Sequence, residues 1–166
     1  MKKLILPVFA IFMAILAIYA LVTSIHDNVS TARKGIVRYA EADAEGNIRF
    51  SLKELSEDNV SFIRIPGGSK IELLARKDRE GAPGIALGTC QSCNGSPAAC
   101  FQQEGKMLQC ANCGQTFSLD VIGKSGGGCR PIALSNDVLE ISDTEAVIHA
   151  EALDTLEALF MNVKAH

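Results

Sequence analysis

The sequence predicts a mainly β fold: a single N-terminal transmembrane helix, then a small antiparallel β domain with a metal-binding double-knuckle loop region and a C-terminal helix. Three observations predict it. Residues 4–22, LILPVFAIFMAILAIYALV, run nineteen positions without a charge. From residue 35 onward, short runs of alternating apolar and polar residues are divided by glycine-bearing turns. All six cysteines then fall between Cys90 and Cys129.

The apolar run also inflates the 48% hydrophobic content of the 166-residue chain. As a helix, nineteen residues span about 28 Å, close to the roughly 30 Å of bilayer hydrocarbon. Pro7 falls in its first turn, where a missing backbone donor does little harm, and Tyr19 falls near the far interface. Lys2 and Lys3 belong on the cytoplasmic side, although Arg33 and Lys34 reduce the charge contrast. A cleaved signal peptide is the rival reading, but the run exceeds the usual apolar core of about 7–15 residues and no A-x-A site follows it. Either way the remainder is extracytoplasmic. The organisation expected is an anchor over 1–24, contacting membrane lipid, a juxtamembrane linker over 25–34, and an extracytoplasmic metal-binding domain over 35–166.

Sixteen basic against nineteen acidic residues, with no basic stripe and no interleaved aromatics, exclude a nucleic-acid partner. The absence of tryptophan and the 5% aromatic content argue against a large aromatic-lined pocket.

Strands are expected in GIVRYAEA, GNIRFSLKEL, VSFIRI and SKIELLARK, with turns at Glu45-Gly46-Asn47 and Pro66-Gly67-Gly68. DVLEIS and EAVIHA add two more. Residues 88–130, rich in Gly, Ser and Asn, are expected to need a metal or cross-link to hold a shape. At the end, Leu153, Leu156, Leu159 and Phe160 recur at helical spacing, with acidic residues early and Lys164 late, as a core-facing helix requires.

The chemistry is concentrated in the cysteines. Cys90 and Cys93 form one C-x-x-C unit, Cys110 and Cys113 a second, and sixteen residues separate the two. Each unit can aim two thiolates and free backbone N–H groups at one metal, which is the ligand pattern of a tetrahedral sulfur site. The expected cofactor is an iron–sulfur cluster bound by Cys90, Cys93, Cys110 and Cys113, with Cys129 as a fifth candidate; zinc is the alternative. A pure disulfide framework is the remaining alternative for an exported domain.

GTCQSCNGS, GKMLQCANCGQTFSLDVIG and GGGCRPIAL together resemble the FtrD-like membrane iron–sulfur proteins over roughly residues 60–150. The resemblance implies electron transfer in ferrous-iron transport, beside an iron permease and a periplasmic redox or iron-binding partner. Residue by residue it reaches Cys90, Cys93, Cys110, Cys113 and Cys129, and it does not reach Cys100. The stretch 108–134 is also similar, more weakly, to half of a Rieske site. Here Cys113 stands in place of the expected histidine, and His26, His149 and His166 all lie outside the cluster. All-thiolate ligation implies a potential well below Rieske values. Cys100 and Cys129 could form a disulfide pinning the loops; the resemblance favours a site role for Cys129.

Other features have ordinary readings. Gly126–Gly128 lack the lysine and strand-to-helix context of a phosphate loop, and so serve close passage of the backbone near the metal. His149 reads as structural and His26 as interfacial. The scattered carboxylates show no paired spacing for hard-metal binding or acid–base catalysis, so an electron carrier is expected rather than an enzyme.

Overall fold

The computed structural model describes residues 35–164 together with Met13. Apart from Met13, the expected anchor and linker lie outside the described residues. Among the described residues no helix is long and apolar enough to cross a membrane.

Among the described residues twelve strands form three sheets. The central sheet has the order β1-β4-β5-β6-β10, from Ile36–Tyr39, Ser61–Arg64, Glu72–Lys77, Pro83–Cys90 and Pro131–Ala133. A second sheet has the order β11-β12-β3-β2, from Leu139–Ile141, Glu145–Ile148, Ile48–Ser51 and Glu41–Ala42. The third is β7-β8-β9, from Phe101–Glu104, Met107–Cys110 and Thr116–Ser118. Pairing is antiparallel throughout except between β1 and β4, which run parallel. The expectation of an antiparallel domain is corrected at that one edge. The hairpin of β2 and β3 carries the chain away to the second sheet, so β4 returns in the direction of β1.

β4, β5 and β6 are covered on both faces, which explains why their residues are buried almost continuously. Successive side chains point to opposite faces. Ile63, Leu73, Ala75, Ile85 and Leu87 therefore enter one core with Ile48, Phe50, Ile148, Leu156 and Phe160. Phe62, Leu74 and Ala86 enter another with Phe101, Leu108, Leu119, Ile122, Cys90 and Cys110. Burying Phe62, Phe101 and Leu108 stabilises this second core by roughly 1.5–3 kcal/mol per side chain.

The cysteine segment is thus more ordered than its composition suggests. A two-residue loop, Gly105–Lys106, joins β7 to β8, and Gly105 takes φ 60°, the positive value that a II′ hairpin turn needs at its first position. The inward set Phe101, Gln103, Leu108 and Cys110 then faces the central sheet. A buried arginine fastens this unit in place. Arg76, on β5, donates from Nη1 to Asp120 at 2.7 Å and from Nη2 to the Glu57 carbonyl at 3.0 Å. The hydrogen bond from Arg76, reinforced by Ser118, holds the Asp120 carboxyl below its ordinary range. Its folded pKa is therefore below its unfolded value near 4. The stabilisation is complete above that value and is lost as pH falls through the folded one. Asp120→Asn is expected to melt below wild type at pH 6, with the gap narrowing as pH falls to about 2.5. Thermal melts across that range check this.

The C-terminal helix is shorter than its spacing predicts. Only Leu153–Ala158 (α1) is α-helical, after a 3-10 turn over Ala150–Ala152. Ala152 supplies no side-chain cap, and the chain beyond Ala158 turns so that the Lys164 N–H donates to the Pro97 carbonyl at 3.0 Å. Leu156 and Phe160 are core residues as expected, with Leu153 and Leu159 packed against them.

Candidate metal centre

The site forms where three chain segments meet at one end of the second core. Cys90 ends β6, Cys110 ends β8, and Cys129 precedes β10, which pairs back onto β6. The strands thereby fix three of the cysteines. Cys93 and Cys113 follow in the turns.

Backbone hydrogen bonds shape each knuckle. The Cys90 N–H donates to the Ala99 carbonyl at 3.0 Å, and the Gln91 N–H to the Arg130 carbonyl at 2.9 Å. In the second knuckle the Gly114 N–H donates to the Cys110 carbonyl at 2.8 Å, with Gly114 at φ 73°. The amides of Asn112 and Cys113 are aimed at the Cys110 sulfur, and that of Gln115 at the Cys113 sulfur. This is the sulfur-directed donor arrangement that a thiolate ligand needs. The knuckles are also tied to each other and to the domain. Ser96 Oγ donates to Asn112 Oδ1 at 2.5 Å, the Ala111 N–H to the Cys100 carbonyl at 2.8 Å, and Asn94 Nδ2 to the Leu159 carbonyl at 2.7 Å.

The five predicted cysteines converge. The sulfurs of Cys90, Cys93, Cys110 and Cys129 all lie within 4.8 Å of one another. Cys129 Sγ is 3.0 Å from Cys90, 3.7 Å from Cys93 and 3.0 Å from Cys113, and Cys93 is 3.9 Å from Cys110. Cys129 therefore stands inside the group, while Cys113 stands at its edge. Cys129 makes no disulfide, so the pairing with Cys100 does not form. Cys90 and Cys110 are fully buried, Cys93 and Cys129 are half-buried, and Cys113 is exposed.

Acidity follows this arrangement. Burial pushes the Cys110 thiol up to about 12. Burial, then contact with the other sulfurs, raises Cys129 as well, and its thiol hydrogen bond holds Cys113 down at about 7. Packed sulfurs cannot all ionise beside one another unless a cation offsets their charge. A metal ion provides that offset and deprotonates the thiols it binds. The donor set fits a soft metal. Four thiolates about 2.3 Å from a single ion sit about 3.8 Å apart, as Cys93 does from Cys129 at 3.7 Å and from Cys110 at 3.9 Å, while the 3.0 Å contacts of Cys129 with Cys90 and Cys113 are closer.

A family model for membrane iron–sulfur containing proteins, FtrD-like, matches residues 55–160, more than half of the chain. The chain belongs to the FtrD-like family. The match takes in all six cysteines and all of β4 to β12, so the FtrD-like region comprises the central and third sheets almost entirely. Comparison with curated proteins and with solved structures gives no match.

A separate cavity of about 650 Å³ is lined by Arg38, Tyr39, Arg49, Lys53, Glu54 and Glu145 among others, and by none of the cysteines. Its arginines already have partners. Arg38 pairs with Glu54, and Arg49 with Asp43 at 2.8 Å and Glu145 at 3.0 Å.

Proposed function

We propose that this FtrD-like protein is a membrane-anchored iron–sulfur electron carrier serving ferrous-iron transport, with its β domain outside the cytoplasm. The observation that carries the reading is the convergence of five cysteine sulfurs, buried on one side and open on the other at Cys113. When bound, the iron centre supplies one-electron chemistry. The chain's own residues hold the thiolates, direct amides at the sulfurs and shield all but one edge from water. Cys90, Cys93, Cys110, Cys113 and Cys129 form the binding set. An iron permease and a periplasmic redox or iron-binding protein are the partners this reading entails, and the anchor over 1–24 would keep the domain at high local concentration beside them.

The second reading is a structural zinc module. It is favoured by one feature: four sulfurs within 4.8 Å of one another suit a single tetrahedral ion, whereas a cluster spreads its thiolates over several irons. Anaerobic reductive titration decides between them. The redox reading predicts reversible one-electron uptake with a paramagnetic signal in one of the two states. A chain that takes up no electron and holds one zinc would overturn it.

A further inference from the structure

The five converging sulfurs are graded in exposure. Cys113 is exposed, Cys93 and Cys129 are half-buried, and Cys90 and Cys110 are fully buried. A single tetrahedral ion takes four thiolates, so one of the five is surplus to it. Cys90, Cys93 and Cys110 belong both to the close set that Cys129 completes and to the paired C-x-x-C set that Cys113 completes. The surplus therefore lies between Cys113 and Cys129. The sixth cysteine, Cys100, stands outside the group and packs against the core that holds Leu156 and Phe160.

Cys129 joins the two ends of the gradient. Its Sγ is 3.0 Å from that of exposed Cys113 and 3.0 Å from that of buried Cys90. Two thiolates on one ion sit about 3.8 Å apart, so each step is within the span of a single bound ion. An ion moving inward can gain the next sulfur before it loses the last outside ligand. The backbone at the outer two sulfurs is also of a different kind. Cys113 lies in a turn closed by Gly114 at φ 73°, and Cys129 follows Gly128 at φ 90°, whereas Cys90 and Cys110 end strands β6 and β8.

We propose, on the thiolate site assigned above, that Cys113 and Cys129 alternate at one coordination position, and that Cys113 is the thiolate through which a soft metal ion enters and leaves. The incoming ion first binds Cys113, the most open of the sulfurs. One metal–sulfur bond forms, the thiol proton passes to water, and one water or donor thiolate leaves the ion. Cys129, Cys93, Cys110 and Cys90 then take hold in the same way, one outside ligand leaving for each thiolate gained until none remains, after which Cys113 and Cys129 displace each other. Release runs back along the same path. A residue that serves only as the route speeds both directions alike and leaves the affinity almost unchanged.

Cadmium(II) bound to the reduced full-length chain tests this, read through its thiolate-to-metal absorption. In Cys113→Ser and Cys113→Ala, capture of Cd(II) from its glutathione complex and its release to excess EDTA should both slow by a common factor, on the order of tenfold. The dissociation constant should stay within about threefold of wild type, since only one of two alternative ligand sets is lost. Cys129→Ser should instead keep fast capture and release the ion faster, on the order of tenfold, because the fourth position is then held by the exposed sulfur alone. Unchanged rates in the Cys113 variants, or capture and release altered by factors more than about threefold apart, would overturn the route through Cys113 and leave the site standing. A fixed ligand at Cys113 would show itself in that second way, as faster release with weakened affinity. A wild-type chain that binds no Cd(II) would overturn the thiolate site itself.

Discussion

Replacing Cys90 by serine is expected to abolish metal binding, lowering metal per chain on the order of tenfold or more. Cys90 is fully buried at the end of β6 with its amide held by Ala99, and the four thiolates left by its loss include the exposed Cys113, so the innermost side of the site is left without a sulfur. A serine hydroxyl is a hard, weak ligand for a site built from soft thiolates. It would also be buried where its neighbours are sulfurs and apolar side chains, at a cost of about 1–3 kcal/mol. Cys113→Ser should behave differently. Cys113 is exposed, and Cys129 is 3.0 Å from both its sulfur and that of Cys90, already inside the group. Cys129 can complete a four-thiolate set with Cys90, Cys93 and Cys110. The Cys113 variant is therefore expected to keep metal with an altered visible spectrum. Elemental analysis of the purified variants checks both. Full occupancy in Cys90→Ser would remove that residue from the ligand set.

Gln103→Ala is expected to destabilise the domain by about 2–4 kcal/mol and to lower metal content indirectly. Gln103 lies on β7 and is buried. Its Oε1 accepts from the Val60 N–H at 2.7 Å, and its Nε2 donates to the carbonyls of Asp58 and Gly105 at 2.8 and 2.7 Å. One amide thus joins the third sheet to the chain entering the central one. The two carbonyls belong to exposed residues, and water can replace their partner. Val60 is fully buried, so its N–H would be orphaned. That asymmetry sets the size of the effect, about 1–3 kcal/mol for the orphaned donor with the vacated volume added. Gln103→Glu should recover part of it, since a carboxylate still accepts from Val60 but cannot donate to the carbonyls. Chemical denaturation of the three proteins measures the order wild type, Glu, Ala. Equal stability for Gln103→Ala would contradict the role assigned to this amide.

Local pattern made β1 to β5, β11 and β12 legible through their alternation, and at Gly46 and Gly67 the bounding turns hold glycines at positive φ. The third sheet was hidden by its own cysteines and glycines. FQQEGKMLQC does contain a hairpin signal, since two alternating runs flank Gly105–Lys106, but its inward positions include Gln103 and Cys110, which do not read as apolar. Gln103 could not be found in advance. Its role depends on Val60 and Asp58, more than forty positions away in sequence. The parallel pairing of β1 with β4 was equally inaccessible, because it depends on which sheet the β2–β3 hairpin joins.

For the site, the C-x-x-C spacing was enough to name Cys90, Cys93, Cys110 and Cys113, since each pair needs only a local turn. The standing of Cys129 was not local. It follows from β10 pairing with β6, which returns the chain to Cys90 and leaves Cys113 outermost. Spacing alone could not rank those two sulfurs.

The proposed electron carrier requires that these thiolates hold an iron–sulfur centre. Iron, zinc and acid-labile sulfide, measured per chain on protein purified without oxygen, test it most directly. Iron with labile sulfide in stoichiometric amounts is the expected result, with loss of both in Cys90→Ser. One zinc per chain, with neither iron nor sulfide, would contradict it.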